Sequence, residues 1–368
     1  MQLRVAFAAV GAALWLSLGC TGHPQPPAVE GLPSSQSDAA FWQLVSDFSE
    51  PDGAFEAENL LSNERAFQGV MQELATLPAG GVYIGVGPEQ NFTYLAALRP
   101  KLAFVVDIRR QNLVLHLFYK ALFEIARNRA DFLAQLFGRR PVAALPLHTP
   151  VDELLMACRA ASPSSDLHER TLQAVKERLI VHHGFLLSDD DVLSLERLAF
   201  AFYRAGPDLQ YDGSGDDSPP SYADLMTETD GHGVQCSYLA TEQSFRVVQD
   251  LHNHNAIIPL VGDFAGSKAL RLLGRYVADR GATITAFYVS NVEFYLFGSD
   301  AWRRFYANLA ELPIDEHSRL LRSCSDRGLA TRTAADASHT RLRSIAELVR
   351  AFAAGTVEGY YDVLAMPR

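Results

Sequence analysis

The stretch GGVYIGVGPEQNF, residues 80–92, decides the fold because it joins an apolar run directly to a helical pattern. Residues 82–86 are continuously apolar, as expected of a strand that is buried on both faces. Gly85 and Gly87 end this run, and residues 90–98 have the composition of a helix. The stretch therefore predicts a buried strand, a tight turn and a helix in succession.

The alternation of apolar runs and helical patterns continues after this unit. Residues 101–108 (KLAFVVDI) form a second apolar run, and a long amphipathic pattern over 111–125 predicts a helix. Further strands are predicted at 256–264, 282–290 and around RLLRSC, a helix at 342–353 and a terminal edge strand at GYYDVLAM. Strands alternating with helices predict an α/β fold with a doubly wound, mostly parallel, Rossmann-like sheet. The strands at 82–86, 103–108, 257–263 and 284–289 are expected to be neighbours.

The pattern divides the chain into five parts. Residues 1–19 read as a signal peptide, and residues 20–40 as a tether. The first half of the α/β domain covers 41–140 and includes N-terminal helices, one of them starting near Asn63 with Ser62 as its cap. Residues 141–254 show helical periodicity without a comparable buried strand. They are predicted to be a helical insertion packed over the carboxyl edge of the sheet, and 255–368 the second half of the domain.

The N-terminus resembles a bacterial lipoprotein signal. Arg4 precedes an apolar run over 5–18, which is shorter than the ~20 residues that span a bilayer, and Gly19 precedes Cys20. This pattern predicts a lipid on Cys20, a membrane anchor and a location in the cell envelope. An ordinary secretory signal is the alternative, and the chain would be cytoplasmic if the segment is not a signal.

Composition excludes some classes of protein. The 368 residues carry a formal net charge of −11, whereas a nucleic-acid-binding protein needs a basic face. No nucleic-acid partner is therefore predicted. The cysteines at 158, 236 and 324 match no zinc spacing, and no metal site is predicted.

Parts of a nucleotide site follow one another in the expected order. Glycines at a strand end let a ligand approach the backbone, and Asp107 ends the second strand 20 residues after Gly87, where an acid can bind a ribose. The dinucleotide pattern G-x-G-x-x-G is incomplete, because Gln90 stands at the third glycine position. Arg109 could hold a carboxylate or phosphate, or begin a solvated helix. The alternative is that the glycines only form a turn between the strand and the helix.

The loop resembles motif I of class I S-adenosylmethionine-dependent methyltransferases, an acid-x-G-x-G-x-G pattern. Gly85 and Gly87 match it, and Asp107 matches the acid that closes the second strand in that family. Tyr83 replaces the first acid, and Glu89 the third glycine. The resemblance covers roughly residues 80–131 and 257–297. It implies a methyltransferase-type fold with S-adenosylmethionine as the cofactor.

Two further blocks extend the resemblance. PLVGDF, with Asp263, resembles the fourth strand of these enzymes, and FYVSN, with Ser290 and Asn291, the fifth. The blocks SNE, GVGPEQNF, VDIRRQN, VGDFAG and YVSNVE together resemble a bacterial protein family with a methyltransferase-like core and no established activity. The residues expected to bind the cofactor are Gly85, Gly87, Glu89, Gln90, Asn91, Asp107, Arg109, Asp263, Ser290 and Asn291.

Two functions therefore stay open. One is a small-molecule- or nucleotide-binding α/β protein that acts as a methyltransferase on an unspecified acceptor, with Asp263, Ser290 and Asn291 at the reacting end. Methyl transfer requires mainly alignment of donor and acceptor, so no nucleophile is predicted. The other is a non-catalytic envelope lipoprotein that uses the fold as a binding or interaction module.

Overall fold

The computed structural model of the protein describes residues 31–55, 59–140, 145–211, 219–324 and 339–366. The predicted signal peptide, Cys20 and the first part of the predicted tether lie outside these described residues. Within them, no helix is both long and apolar enough to cross a bilayer.

A six-stranded sheet forms the centre of the protein. Its strands have the spatial order β3-β2-β1-β4-β5-β6, and the first five are parallel while β6 runs antiparallel to β5. The doubly wound, Rossmann-like prediction is confirmed, as is the adjacency of the four predicted strands. The strands are β1 (Val82–Gly85), β2 (Leu102–Asp107), β3 (Ile257–Val261), β4 (Ile284–Ser290), β5 (Arg319–Cys324) and β6 (His339–Ser344).

Helices cover the sheet. The helices that follow β1 and β2 pack with α10, and the helices that follow β3 and β4 pack on each other. The chain crosses the sheet in opposite directions in its two halves, so right-handed crossovers place these two groups of helices on opposite faces. Short non-α turns of helix occur at Phe67–Val70, Glu177–His182 and Gly206–Asp208. The α-helices are α1 (Asp38–Phe48), α2 (Met71–Leu74), α3 (Gln90–Leu98), α4 (Arg110–Ile125), α5 (Arg129–Phe137), α6 (Val151–Ala160), α7 (Ser165–Lys176), α8 (Asp189–Ala205), α9 (Tyr222–Thr227), α10 (Glu242–Asn253), α11 (Ala269–Ala278), α12 (Val292–Leu296), α13 (Ala301–Ala310), α14 (Ile345–Ala353) and α15 (Tyr360–Ala365).

The central strands form where the apolar runs predict them. Every residue of β1, β2 and β3 is buried, so these strands contact helices on both faces of the sheet. The blocks compared with a fourth and a fifth methyltransferase strand are instead the third and fourth strands of this sheet. The strand numbers in that comparison were therefore wrong, because helices fill the chain between β2 and β3.

Three local predictions are also wrong. Residues 360–365 form a helix and not an edge strand, because Asp362 accepts hydrogen bonds from the N–H groups of Glu358 and Gly359 (2.9 and 2.8 Å). The edge is formed by β6, and α14 consequently begins only at Ile345. No helix starts near Asn63, because the Ser62 hydroxyl donates to Gln90 across the fold.

Helices α6 to α10 occupy the described part of the predicted insertion. They were expected over the carboxyl edge of the sheet, but α10 packs on α3 and α4, and α8 packs on α4 and α5. The apolar faces of α8 and α10 thus pack against the helices that cover the sheet, and they enlarge the core there instead of closing the carboxyl edge. Tyr211, which lies between α8 and α9, does reach the cavity at the carboxyl edge.

Candidate functional site

A cavity of about 500 Å³ opens at the carboxyl edge of the sheet. Its wall is formed by the segments that follow β1, β2, β3 and β4, together with residues of the 50–63 segment. The chain leaves β1 towards β2 and enters β4 on the other side, so the cavity lies at the topological switch point, where α/β proteins bind ligands. Its volume is typical of small-molecule sites.

The structure brings only part of the predicted residues to this cavity. Those that line it are Gly87, Asp107, Arg109, Asp263, Ser290 and Asn291. The other four lie beneath the loop and do not belong to its wall: Gly85, Glu89, Gln90 and Asn91.

Gly87 has a backbone conformation that few other residues adopt. Its φ is +74°, and a Cβ placed on it would meet no atom within 4 Å. The carbonyl oxygen of Gly87 is held by His116 Nε2 (2.8 Å) and by Asn91 Nδ2 (3.2 Å). The loop is therefore fixed from below, while the position of the missing side chain is open space.

Gly85 has a different role. A Cβ at this position would collide with Asn91 Oδ1 and with the ring of Tyr83. The Tyr83 hydroxyl donates to Asn91 Oδ1 (2.8 Å), and both side chains are buried. Tyr83 thus fastens α3 to β1 at the position where the methyltransferase pattern has an acid, and Gly85 makes room for this bond.

Asp107 and Arg109 form a buried ion pair on the cavity wall. Arg109 Nε donates to Asp107 Oδ1 and Nη2 to Oδ2, both at 2.9 Å. The exposed fractions of the residues are 6% for Asp107 and 7% for Arg109. Asp107 Oδ1 also accepts the backbone N–H of Arg109 (3.0 Å), so the acceptor capacity left for a ligand hydroxyl is the second lone pair of Oδ2.

The amino end of α11 is occupied by a side chain that the sequence did not indicate. Glu50 accepts hydrogen bonds from the N–H groups of Asp263 (2.8 Å), Lys268 (2.9 Å) and Ala269 (3.0 Å). A carboxylate is favourable at a helix amino end. The residue before the helix, Lys268, provides no side-chain cap of its own.

The end of β4 contains a strained residue. Ser290 has a φ of +53°, which is rare for a residue other than glycine, and the pairing with β5 is irregular between Tyr288 and Ser290. The Ser290 hydroxyl donates to Glu64 Oε1, and Gln90 Nε2 donates to Glu64 Oε2 (2.9 Å). Glu64 is buried, which raises its pKa above the ordinary value. In the sequence, only the block SNE marks Glu64.

A second buried carboxyl group lies behind the loop. Glu89 Oε1 accepts the N–H of Ser62 (3.3 Å), whereas Oε2 has no hydrogen-bond partner among the described residues. Burial raises the pKa of Glu89 from 4.5 to about 7. Glu89 is therefore better placed to affect stability than to touch a ligand in the cavity.

Glu89→Gln should remove a pH-dependent loss of stability. An acid with a raised pKa in the folded state keeps a proton that the unfolded chain has lost, so stability falls as the pH rises from about 4.5 to about 7. We expect the variant to gain up to about 3 kcal/mol relative to the wild type between pH 4.5 and pH 8, as measured by urea unfolding. Glu73→Gln, at an exposed position, is the control. If the free energies of unfolding of Glu89→Gln and the wild type differed by the same amount at every pH, the raised pKa of Glu89 would be contradicted.

The described part of the chain contains no cluster of side chains suited to bind a metal ion. No group of three or more histidine, cysteine, aspartate or glutamate side chains there could hold an ion. Cys158, Cys236 and Cys324 are free thiols.

The fold and the cavity define a Rossmann-like α/β protein whose strand ends meet in one pocket at the switch point. The chain belongs to the family described as domain of unknown function DUF7790, which matches residues 60–145 and 219–354, more than half of the chain. The matched parts include the glycine loop, Asp107, Asp263 and Ser290. Residues 146–218, within the helical region, are not matched. No match is found among the curated proteins.

Proposed function

We propose that this protein binds S-adenosylmethionine in the cavity at the switch point and acts as a methyltransferase on a small molecule. The observation that carries the proposal is that Gly87, Asp107, Asp263 and Ser290, predicted from distant parts of the sequence, line one cavity of suitable size. The resemblance of the loop to methyltransferase motif I favours this cofactor over a dinucleotide.

The strand order supports a direction for the bound molecule. Gly87 follows β1, Asp107 ends β2 and Asp263 follows β3, and these strands are adjacent, so the three residues lie in a row across the carboxyl edge. In this row Gly87 would let the amino-acid part approach the backbone, and Asp107 would accept hydrogen bonds from ribose hydroxyls. Asp263 would lie at the adenine end. When bound, the cofactor supplies an electrophilic methyl group.

This placement changes one sequence-based expectation. Asp263 was grouped with Ser290 and Asn291 at the reacting end, but β2 and β1 stand between β3 and β4. In the proposal only Ser290 and Asn291 therefore remain beside the methyl acceptor. Their role is to orient the acceptor, since methyl transfer depends on the alignment of the two molecules.

A non-catalytic module is the second candidate, and one pair of contacts favours it. Both oxygens of Asp107 already accept from Arg109, and the carboxylate of Glu50 already fills the amino end of α11. The chain thus satisfies some of its own polar groups at the cavity. An exported chain would also meet little nucleotide cofactor outside the cytoplasm.

A thermal melt with ligands separates these two functions. Saturating S-adenosylmethionine, at about 100 times its Kd, should stabilise the folded protein by about 2.7 kcal/mol and raise Tm. S-adenosylhomocysteine and NAD are run alongside to test whether the adenosyl group or a dinucleotide is preferred. Unchanged melts with all three, up to millimolar concentrations, would exclude the cofactor and leave the non-catalytic module.

We also propose a lipid anchor on Cys20, which would place the protein in the bacterial cell envelope. Cells that express the full chain should incorporate an alkyne-labelled palmitate into it, and Cys20→Ala should abolish the label. Cys236→Ala is the control, because that cysteine lies within the folded domain. Equal labelling of the wild type and Cys20→Ala would remove the lipoprotein proposal.

A further inference from the structure

Aromatic side chains form a continuous row beside the cavity, here called the aromatic ridge: Phe55, Phe294 and Tyr295 are exposed, and Tyr360 at its end is half-buried. Ring centroids are 5.4 Å apart for Phe55 and Tyr295, 5.7 Å for Tyr295 and Phe294, and 5.8 Å for Phe294 and Tyr360. The exposed fractions are 37% for Phe55, 52% for Tyr295 and 60% for Phe294. Contiguous exposed apolar surface of this kind indicates a binding site.

The ridge is continuous with the cavity on its β4 side. Phe55 and Tyr295 belong both to the ridge and to the cavity wall. The segment from the end of β4 through α12 contributes only uncharged side chains to that wall: Tyr288, Ser290, Asn291, Val292, Tyr295 and Leu296. The basic side chain among the lining residues, Arg109, is matched by Asp107. This side of the cavity therefore suits an uncharged molecule.

Ser290 limits which polar group can be recognised there. Its hydroxyl proton is directed at the Glu64 carboxylate, which Gln90 also holds from the other side. The remaining lone pairs of Ser290 Oγ can only accept a hydrogen bond. While Glu64 is ionised, a partner of Ser290 Oγ must therefore be an O–H or N–H donor.

The backbone at Ser290 supports a functional role for this geometry. A serine with a φ of +53° costs free energy, and such strain collects at functional sites. The hydrogen bond to buried Glu64 keeps the hydroxyl in this orientation. The position of Ser290 Oγ is thus fixed before any ligand arrives.

We infer that the β4 side of the cavity is a subsite for a planar, uncharged aromatic molecule that carries an O–H or N–H group. The ring of that molecule packs against Tyr295 and Phe55, and its polar hydrogen is donated to Ser290 Oγ. This inference deepens the proposed function and rests on it, because the molecule would be the methyl acceptor.

Three related probes test the two halves of the inference by titration calorimetry. 2-Naphthol is planar and has an O–H, 2-methoxynaphthalene is planar without a donor, and decahydro-2-naphthol has the O–H without the planar ring. 2-Naphthol should bind most tightly, with each of the other two about 2- to 10-fold weaker. Equal affinity for 2-naphthol and 2-methoxynaphthalene, or no binding of 2-naphthol at millimolar concentration, would overturn the inference.

Variants then locate the binding. Tyr295→Ala should weaken 2-naphthol binding about 2- to 10-fold, and Ser290→Ala should abolish the preference for 2-naphthol over 2-methoxynaphthalene. Phe200→Ala is the matched control, because Phe200 is 52% exposed on α8 and does not line the cavity. Wild-type affinities in both Tyr295→Ala and Ser290→Ala would show that the probe binds elsewhere and overturn the inference.

The S-adenosylmethionine melt keeps the two proposals apart. A shift with the cofactor but no binding of 2-naphthol removes the aromatic subsite alone. Binding of 2-naphthol with the expected preferences, but no shift with the cofactor, supports the subsite and removes the methyltransferase.

Discussion

Gly87→Val should weaken the binding of S-adenosylmethionine by about 10- to 100-fold. The space beside Gly87 is empty of protein atoms within 4 Å, and this residue lines the cavity. A branched side chain would therefore enter the volume that the cofactor is proposed to fill. Titration calorimetry with purified wild type and variant measures the difference.

The strain of the substitution needs a control, because valine is unfavourable at a φ of +74° whether or not a ligand binds. Gly355 provides it, with a φ of +70° and likewise no atom within 4 Å, at an exposed position outside the cavity wall. Gly355→Val should lose a similar amount of stability and bind the cofactor as the wild type does. Equal affinities in the two valine variants would mean that Gly87 only makes a turn.

The two valine variants test cofactor binding more directly than a substitution of Asp107 would. Asp107→Asn would remove a ribose acceptor, but it would also break the buried pair with Arg109. Removing one partner of a buried ion pair costs about 3–5 kcal/mol, so a loss of binding could result from a weakened fold. At Gly87, the Gly355→Val control separates the loss of cofactor binding from the loss of folding stability.

Arg322→Met should be among the most damaging substitutions, with a loss of about 3–5 kcal/mol in the free energy of unfolding. Arg322 on β5 and Glu293 on α12 are each 1% exposed, and the guanidinium donates to both carboxylate oxygens. The Tyr306 hydroxyl also donates to Glu293. Without the arginine, the carboxylate stays buried with its charge unmatched. Since this pair anchors α12, the β4 wall of the cavity depends on it.

Two further variants test this explanation by urea unfolding. Arg303→Met breaks an exposed pair with Asp300 (3.6 Å) and should change stability by less than about 1 kcal/mol. Glu293→Met combined with Arg322→Met removes both charges and should recover most of the loss. A double variant as unstable as Arg322→Met alone would show that lost packing, and not the unmatched charge, is the cause.

The sequence alone determined the four strands β1 to β4 and which of them are neighbours. Apolar runs of five to seven residues between amphipathic helices identify strands that are buried on both faces, and right-handed crossovers leave few ways to order them. Because the carboxyl ends of parallel strands share one edge, Gly87, Asp107, Asp263 and Ser290 could be expected to lie together. Tertiary pairing also decided β6, whose hydrogen bonds depend on β5.

The tertiary structure alone decided what each side chain does. Glu50 caps a helix that starts more than 200 residues later, and Glu64 holds Ser290 across a similar distance. Contacts of this kind leave no periodic signal, since they form only when the fold brings remote segments together. Tyr83 is an example. In the sequence it is only a departure from the motif, because it replaces the acid, whereas in the structure its hydroxyl donates a buried hydrogen bond to Asn91.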